Sequence, residues 1–149
     1  MIKFNHVILL FVAFFLFSSF ANATDQGGQY KTLGNWDVHY IAFPSTFLQP
    51  KIAKHYGIER SGYAGVVNIS VLDNRTKDMP AQKVNIAGVA RNLLGNRINL
   101  DFKEVVEGDA VYYIAPIKYR NEETYRFELE ISQGKNFKKL KFQQKFYVD

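Results

Sequence analysis

The segment TYRFELEIS, residues 124–132, has the most regular hydrophobic pattern of the chain. Every second side chain is apolar, and the residues between them are charged or polar. This period of two predicts a β-strand with one face in the core and the other in solvent. The apolar positions are Tyr125, Phe127, Leu129 and Ile131, and the charged positions between them are Arg126, Glu128 and Glu130.

Similar short segments recur on both sides of this strand, separated by turns rich in Gly, Asn and Asp. Gly95-Asn96 is a two-residue hairpin signal, and Pro116 indicates a strand end or a sheet edge. About eight such strands with almost no helix predict an all-β fold, an immunoglobulin-like sandwich of two antiparallel sheets. A closed barrel is the alternative, because alternation does not reveal whether a sheet closes on itself. The other predicted strands cover residues 30–33, 36–43, 65–72, 83–92, 97–107, 110–118 and the segment after 133–136.

Residues 43–61 interrupt this rhythm. Pro50 suits the first position of a helix and Gly57 the position just after its end, which predicts one short helix within residues 50–56. Its apolar side chains should bury against one end of the sandwich. These are Ile52, Ala53 and Tyr56, with Phe47 and Leu48 beside them.

Residues 1–23 have the features of a cleavable secretory signal peptide. Lys3 precedes an apolar run over residues 7–17, and Ala21-Asn22-Ala23 matches the small-x-small cleavage pattern. An uncleaved membrane anchor is the alternative, although the run is shorter than a bilayer requires. Residues 24–29 should form a flexible lead-in, and residues 30–149 a single domain. The chain has no cysteine, which excludes a lipoprotein, and no later stretch is apolar enough to span a membrane.

The charge pattern and the polar residues exclude several classes of function. Without the leader the chain has 18 Lys or Arg and 14 Asp or Glu, a net charge of +4, and the two signs are interleaved. This distribution argues against nucleic-acid binding. Histidines lack metal-ligand spacing, serines lack a nucleophile elbow, and no phosphate-binding loop follows a strand. We therefore predict no catalytic residue, no metal site and no cofactor.

Polar side chains within and beside the interrupted segment form the candidate binding surface. They would line a pocket beneath residues 43–61, since loops on a rigid sandwich often carry function. Five tyrosines at strand ends or on mixed faces could add to a binding surface. The candidate residues are His39, Ser45, Thr46, His55, Tyr56 and Arg60, and the tyrosines are Tyr30, Tyr63, Tyr112, Tyr119 and Tyr147.

The run HYIAFPSTFLQPKIAKHYGIERS, residues 39–61, followed by GVVNISVL, residues 65–72, closely resembles the bacterial family known as domain of unknown function 4426. The resemblance covers essentially the whole chain after the leader. It implies a small exported protein of Gram-negative bacteria, and hence a periplasmic location. It implies no established activity, so it transfers no catalytic residue.

Two functions from different classes follow as hypotheses. The first is a non-enzymatic binding or accessory module that recognises an envelope protein or peptide, for example through an open sheet edge. The second is a small-molecule binder or enzyme with a pocket beneath residues 43–61. A purely structural envelope component is a third possibility, and the sequence leaves the oligomeric state open.

Overall fold

A computed structural model describes residues 29–148, which form nine β-strands, one α-helix and one 3₁₀ helix. The strands are β1 (Tyr30–Leu33), β2 (Trp36–Pro44), β3 (Ala64–Asp73), β4 (Asn85–Asn92), β5 (Arg97–Leu100), β6 (Lys103–Glu107), β7 (Ala110–Lys118), β8 (Glu123–Gln133) and β9 (Asn136–Phe146). The 3₁₀ helix covers Ser45–Phe47 and helix α1 covers Pro50–His55.

Two antiparallel sheets pack face to face. One has five strands in the order β1-β2-β3-β7-β6, and the other has four in the order β5-β4-β8-β9. The sheets stay separate, which confirms the predicted sandwich, and the barrel alternative is wrong. Alternation explains the layering, because the apolar positions of β8 all point into the core while the charged positions between them face solvent.

The core between the sheets consists of the inward positions of both layers. Aromatic rings fill much of this space: Tyr40 lies 4.6 Å from Phe142, which stacks on Phe127 at the same centroid distance. The largest fully buried side chains are Phe127, Ile69, Leu129, Ile131 and Leu140. Without a cysteine, this apolar burial is the main source of stability.

The single strand predicted over residues 97–107 is wrong in one respect. β5 pairs with β4 in the four-stranded sheet, whereas β6 pairs with β7 in the five-stranded sheet. The chain crosses between the layers at residues 101 and 102, where it is not in a strand. The predicted inward residues still reach the core, because Ile98, Leu100 and Phe102 all pack in the cluster between the sheets.

Residues 45–61 cover part of the outer face of the five-stranded sheet, so the prediction that they close the end of the sandwich is wrong. Their apolar side chains meet outward residues of three strands and form a second, smaller core. Gly57 ends the helix with a φ of +66°, as predicted. Phe47 was expected to be buried, but it is 62% exposed. The second core contains Phe43, Leu48, Ala53, Ile58 and Val66, with Ile52, Tyr56 and Ile114 at its margin.

The predicted signal peptide and nearly all of the predicted lead-in, residues 1–28, lie outside the described residues. Across residues 29–148, no helix has the length and apolar character needed to cross a membrane.

The predicted tyrosine exposure holds for Tyr30, Tyr63 and Tyr147, whereas Tyr119 is buried and Tyr112 is intermediate.

Candidate functional site

Ser45 is a structural residue of the interrupted segment rather than an exposed ligand. Its side chain is fully buried, and its hydroxyl pairs with both backbone groups of Ser61. Oγ accepts the Ser61 N–H at 3.0 Å and donates to the Ser61 carbonyl at 3.2 Å. One hydroxyl therefore joins the start of the segment to its end.

Arg60 holds the same turn from outside. Its Nε donates to the Leu48 carbonyl at 2.8 Å, and a terminal nitrogen donates to the Thr46 carbonyl at 3.0 Å. Hydrogen bonds from a charged donor are stronger than neutral ones. Thr46 accepts one of these hydrogen bonds through its backbone carbonyl, so Arg60 and Thr46 both stabilise the turn.

Tyr56 extends from the end of α1 across the outer face of the five-stranded sheet. Its hydroxyl donates to Glu107 Oε1 at 3.2 Å, and Lys103 Nζ donates to its carbonyl at 3.4 Å. Burial, and then the charge of Glu107, raise the pKa of Tyr56. Its phenol therefore stays protonated at physiological pH and can donate this hydrogen bond.

The two candidate histidines lie on different elements, His39 in β2 and His55 at the end of α1. His55 contacts the Tyr56 ring edge-on at a centroid distance of 4.7 Å, whereas His39 stacks on Tyr30 at 5.1 Å. Burial lowers the pKa of His39, and the nearby charge of Asp37 partly offsets this. The six candidate residues therefore do not converge on one point, and at least three of them have structural roles.

The space beneath residues 43–61 is filled by the second core. Phe43, Leu48 and Ala53 are buried against Val66, so this packing does not support the proposed pocket. Among residues 29–148, no group of three or more His, Asp or Glu side chains could hold a metal ion.

A concave surface lies instead on the outer face of the four-stranded sheet, which no other element within residues 29–148 covers. We call it the sheet groove. Its floor includes Ala87 and Val89 of β4, and its volume is about 480 Å³. Charged and polar side chains form its walls, namely Arg91, Arg97, Asn99, Glu128, Glu130, Lys139 and Lys141.

Two opposite-charge pairs face each other across β8 and β9 in the groove. Glu128 lies opposite Lys141, and Glu130 lies opposite Lys139. Opposite charges in these positions favour the sheet, but in the described part of the chain none of the four closes a salt bridge within 4.0 Å. Their charged groups therefore remain available to a ligand.

The next row of the same face is entirely basic on three strands. Arg91 lies opposite Arg97 on one side and opposite Arg126 on the other. Like charges in directly opposed positions destabilise a sheet, and within residues 29–148 none of these arginines forms a salt bridge. Alternation already placed Arg126, Glu128 and Glu130 outside the core, but only the strand register reveals which residues they face.

The fold and this surface define a class: an all-β sandwich with one outer sheet face covered by a helical segment and the other open and charged. The family model described as domain of unknown function (DUF4426) matches residues 30–149. The chain therefore belongs to the DUF4426 family, as its resemblance indicated.

Solved structures agree with this assignment. A DUF4426 family protein of Pseudomonas aeruginosa PAO1 is 31% identical, with a TM-score of 0.72 over 83% of this chain and 98% of that one. No curated protein matches the sequence.

FetP from uropathogenic Escherichia coli strain F11 is a more distant structural neighbour. A copper-bound FetP variant has a TM-score of 0.57 at 12% identity, covering 81% of this chain and 90% of that one. FetP as isolated after periplasmic expression has a TM-score of 0.54 at 16% identity, covering 81% and 93%. At these identities the likeness establishes the shared fold alone.

Proposed function

We propose that this protein is a non-enzymatic binding or accessory module of the periplasm that recognises an envelope protein or peptide through the sheet groove. The observation that carries the proposal is the open concave face with charges that its own sheet leaves without salt bridges. An interface needs such complementary charges for specificity more than for raw affinity. The signal-like leader, residues 1–23, supports export, and the FetP neighbour expressed in the periplasm is consistent with it.

The groove suits an extended segment better than a compact ligand. It runs across four neighbouring strands, and the sign of the charge changes from strand to strand: β9 supplies Lys139 and Lys141, β8 supplies Glu128 and Glu130, and β4 and β5 supply arginines. A peptide that crosses the strands with the opposite order of charges could pair with each of them. Its apolar floor, Ala87 and Val89, leaves room for small side chains of such a peptide. The groove does not require β9 to accept a further strand at its free edge, although that edge could extend the contact.

Site-specific photo-crosslinking in living cells tests the proposal. A photoreactive amino acid at Val89 should give a discrete crosslinked species. The same probe at Val106, 50% exposed on the edge strand β6 of the other sheet, is the matched control. Equal crosslinking at both positions, or none at Val89, would contradict the proposal.

A charge swap sharpens the test. Glu128→Lys combined with Lys141→Glu keeps the net charge and the cross-strand complementarity, so thermal stability should not change. It reverses the field that a partner meets, and the crosslink at Val89 should weaken at least tenfold. An undiminished crosslink would show that these charges do not select the partner.

A further inference from the structure

One end of the sandwich collects loops from both sheets. At this end β2 finishes at Pro44 facing Gly65, Ala64 faces Lys118, and Glu123 faces Phe146. The β4–β5 hairpin is at the same end, because Asn92 faces Tyr125. We call this region the hairpin end, and it comprises residues 45–47, 59–63, 91–97, 118–126 and 143–148.

Large apolar side chains are exposed around the hairpin end. Leu93 and Leu94, in the tip of the β4–β5 hairpin, are 67% and 87% exposed. Three aromatic side chains at the same end are each more than half exposed. They are Phe47 and Tyr63 at 62% and Tyr147 at 54%. Burying such groups in an apolar environment is favourable, and a cluster of them indicates an interaction surface.

These residues form one continuous region rather than scattered exceptions. The Tyr119 N–H donates to the Tyr63 carbonyl at 3.0 Å. The Val148 N–H donates to the Asn121 side chain at 2.9 Å, which places the C-terminal strand beside the same turn. The Asn92 side chain donates to Glu123 at 3.0 Å and so connects the hairpin to that turn.

The hairpin end is also the basic part of the molecule. Its 30 residues contain seven Lys or Arg and three Asp or Glu, a net charge of +4, whereas the described chain as a whole carries 18 and 12, a net charge of +6. One of the three acids, Glu59, is paired with Lys118 at 3.5 Å. A quarter of the described residues thus carries two thirds of the excess positive charge.

The basic row formed by Arg91, Arg97 and Arg126 lies directly behind the exposed leucines at the tip of the hairpin. Arg91 precedes Leu93 by two residues, a distance of about 7 Å along a strand, and Arg97 and Arg126 face Arg91. If the tip enters the boundary between headgroups and acyl chains, the guanidinium groups reach the depth of the phosphates. Guanidinium binds phosphate through paired hydrogen bonds, and phosphate would relieve the repulsion within the row.

From this arrangement we infer that the hairpin end binds the surface of an anionic phospholipid bilayer. Leu93, Leu94 and the exposed aromatic rings enter the interface, where aromatic side chains are favoured. Arg91, Arg97 and Arg126 contact lipid phosphates. This inference goes beyond the proposed function and does not rest on it. Arg91 and Arg97 also line the groove, but the lipid contact needs the exposed loops of the hairpin end, whereas the peptide contact centres on Val89 and on the charge pairs of β8 and β9.

Vesicle co-sedimentation of the protein without its leader tests the inference. Vesicles of phosphatidylglycerol with phosphatidylethanolamine should bind the protein, vesicles of phosphatidylcholine should bind it at least tenfold more weakly, and salt should weaken the first interaction. Equal binding to both vesicles, or to neither, would overturn the inference. Capture of a protein partner by the hairpin end without vesicle binding would overturn it as well.

Substitutions separate the two components of the contact. Arg91→Gln with Arg97→Gln and Arg126→Gln should weaken binding to anionic vesicles roughly 100-fold, about fivefold for each charge. The variant should remain folded with an unchanged or higher melting temperature, because it removes opposed like charges. Unchanged vesicle binding by this folded variant would overturn the role of the row.

The apolar tip has a matched control at the other end of the molecule. Leu93→Ser with Leu94→Ser should weaken vesicle binding at least tenfold, whereas Phe137→Ser, at a position 49% exposed near the opposite end, should not. Equal losses in the two variants would overturn the assignment of this end. The Glu128 and Lys141 charge swap should bind vesicles like the wild type, so failure of the groove proposal and failure of this inference are distinguishable.

Discussion

Replacing Ser45 by alanine should destabilise the whole domain, although it removes a single oxygen atom. The side chain is fully buried, and its hydroxyl satisfies both the N–H and the carbonyl of Ser61. Alanine leaves both backbone groups without this partner. Each orphaned group costs about 1 to 1.5 kcal/mol in a partly buried setting, so the variant should lose about 2 to 3 kcal/mol.

This loss is a large share of the roughly 5 to 15 kcal/mol stability of a typical domain. At about 4 °C for each kcal/mol in a domain of this size, the melting temperature should fall by about 8 to 12 °C. Urea unfolding should show a lower midpoint with an unchanged slope, because the surface exposed on unfolding stays the same.

Thr46→Ala is the matched control, since Thr46 is exposed and contributes its carbonyl to Arg60. It should change stability by less than about 0.5 kcal/mol. Arg60→Ala should cost about 1 to 2 kcal/mol and should be non-additive with Ser45→Ala, because both side chains hold one turn. If Ser45→Ala has the melting temperature of the wild type, or Thr46→Ala loses as much stability as Ser45→Ala, the Ser45 hydroxyl does not anchor the segment.

Three further variants test the packing and electrostatics of the described chain. Gly88→Ala should cost about 2 kcal/mol in urea unfolding, because the new Cβ would lie 2.2 Å from Leu129 Cδ2 and must displace it; a stable variant would mean that the leucine moves freely. Tyr56→Ala should cost about 2 kcal/mol by thermal unfolding, less than for a fully buried aromatic side chain, and a loss above about 4 kcal/mol would contradict its partial exposure. Hydrogen bonds from Arg75 lower the pKa of Asp73 to about 2. Because this is below the unfolded value of about 4, the stabilisation is present above about pH 4 and is lost as the pH falls toward 2. Asp73→Asn should reduce the loss of stability between about pH 4 and pH 2, measured by acid titration followed by circular dichroism. An unchanged stability profile would contradict the assignment of this loss to Asp73.

The structural roles of the candidate binding residues could not be predicted from the sequence. Ser45 and Arg60 are polar residues in an irregular segment, which is the usual setting of a binding loop. The same residue types also satisfy backbone groups at turns, and the choice depends on which carbonyls the fold brings near. Residues 12 to 16 positions apart had to meet before either side chain had a partner.

The class of the fold and most of its elements follow from local features of the amino-acid sequence. Period-two alternation fixed which face of β2, β8 and β9 is buried, and glycine and proline fixed the limits of the helix within one residue. These features are local, because a strand's alternation and a helix's end depend on neighbouring residues alone.

The way these elements combine depends on contacts between segments that are distant in the sequence. Apolar residues alternate at Ile98, Leu100 and Phe102, past the end of β5, so the local pattern does not mark the break between β5 and β6. Likewise, an apolar helix face needs a cover but does not specify whether that cover is the end or the outer face of a sandwich. The opposition of Arg91 to Arg97 and Arg126 depends on strand register, and register is set by pairing between segments up to 35 residues apart. This long-range pairing brings charged residues from several strands side by side in the groove and at the hairpin end. No single segment of the sequence contains that arrangement.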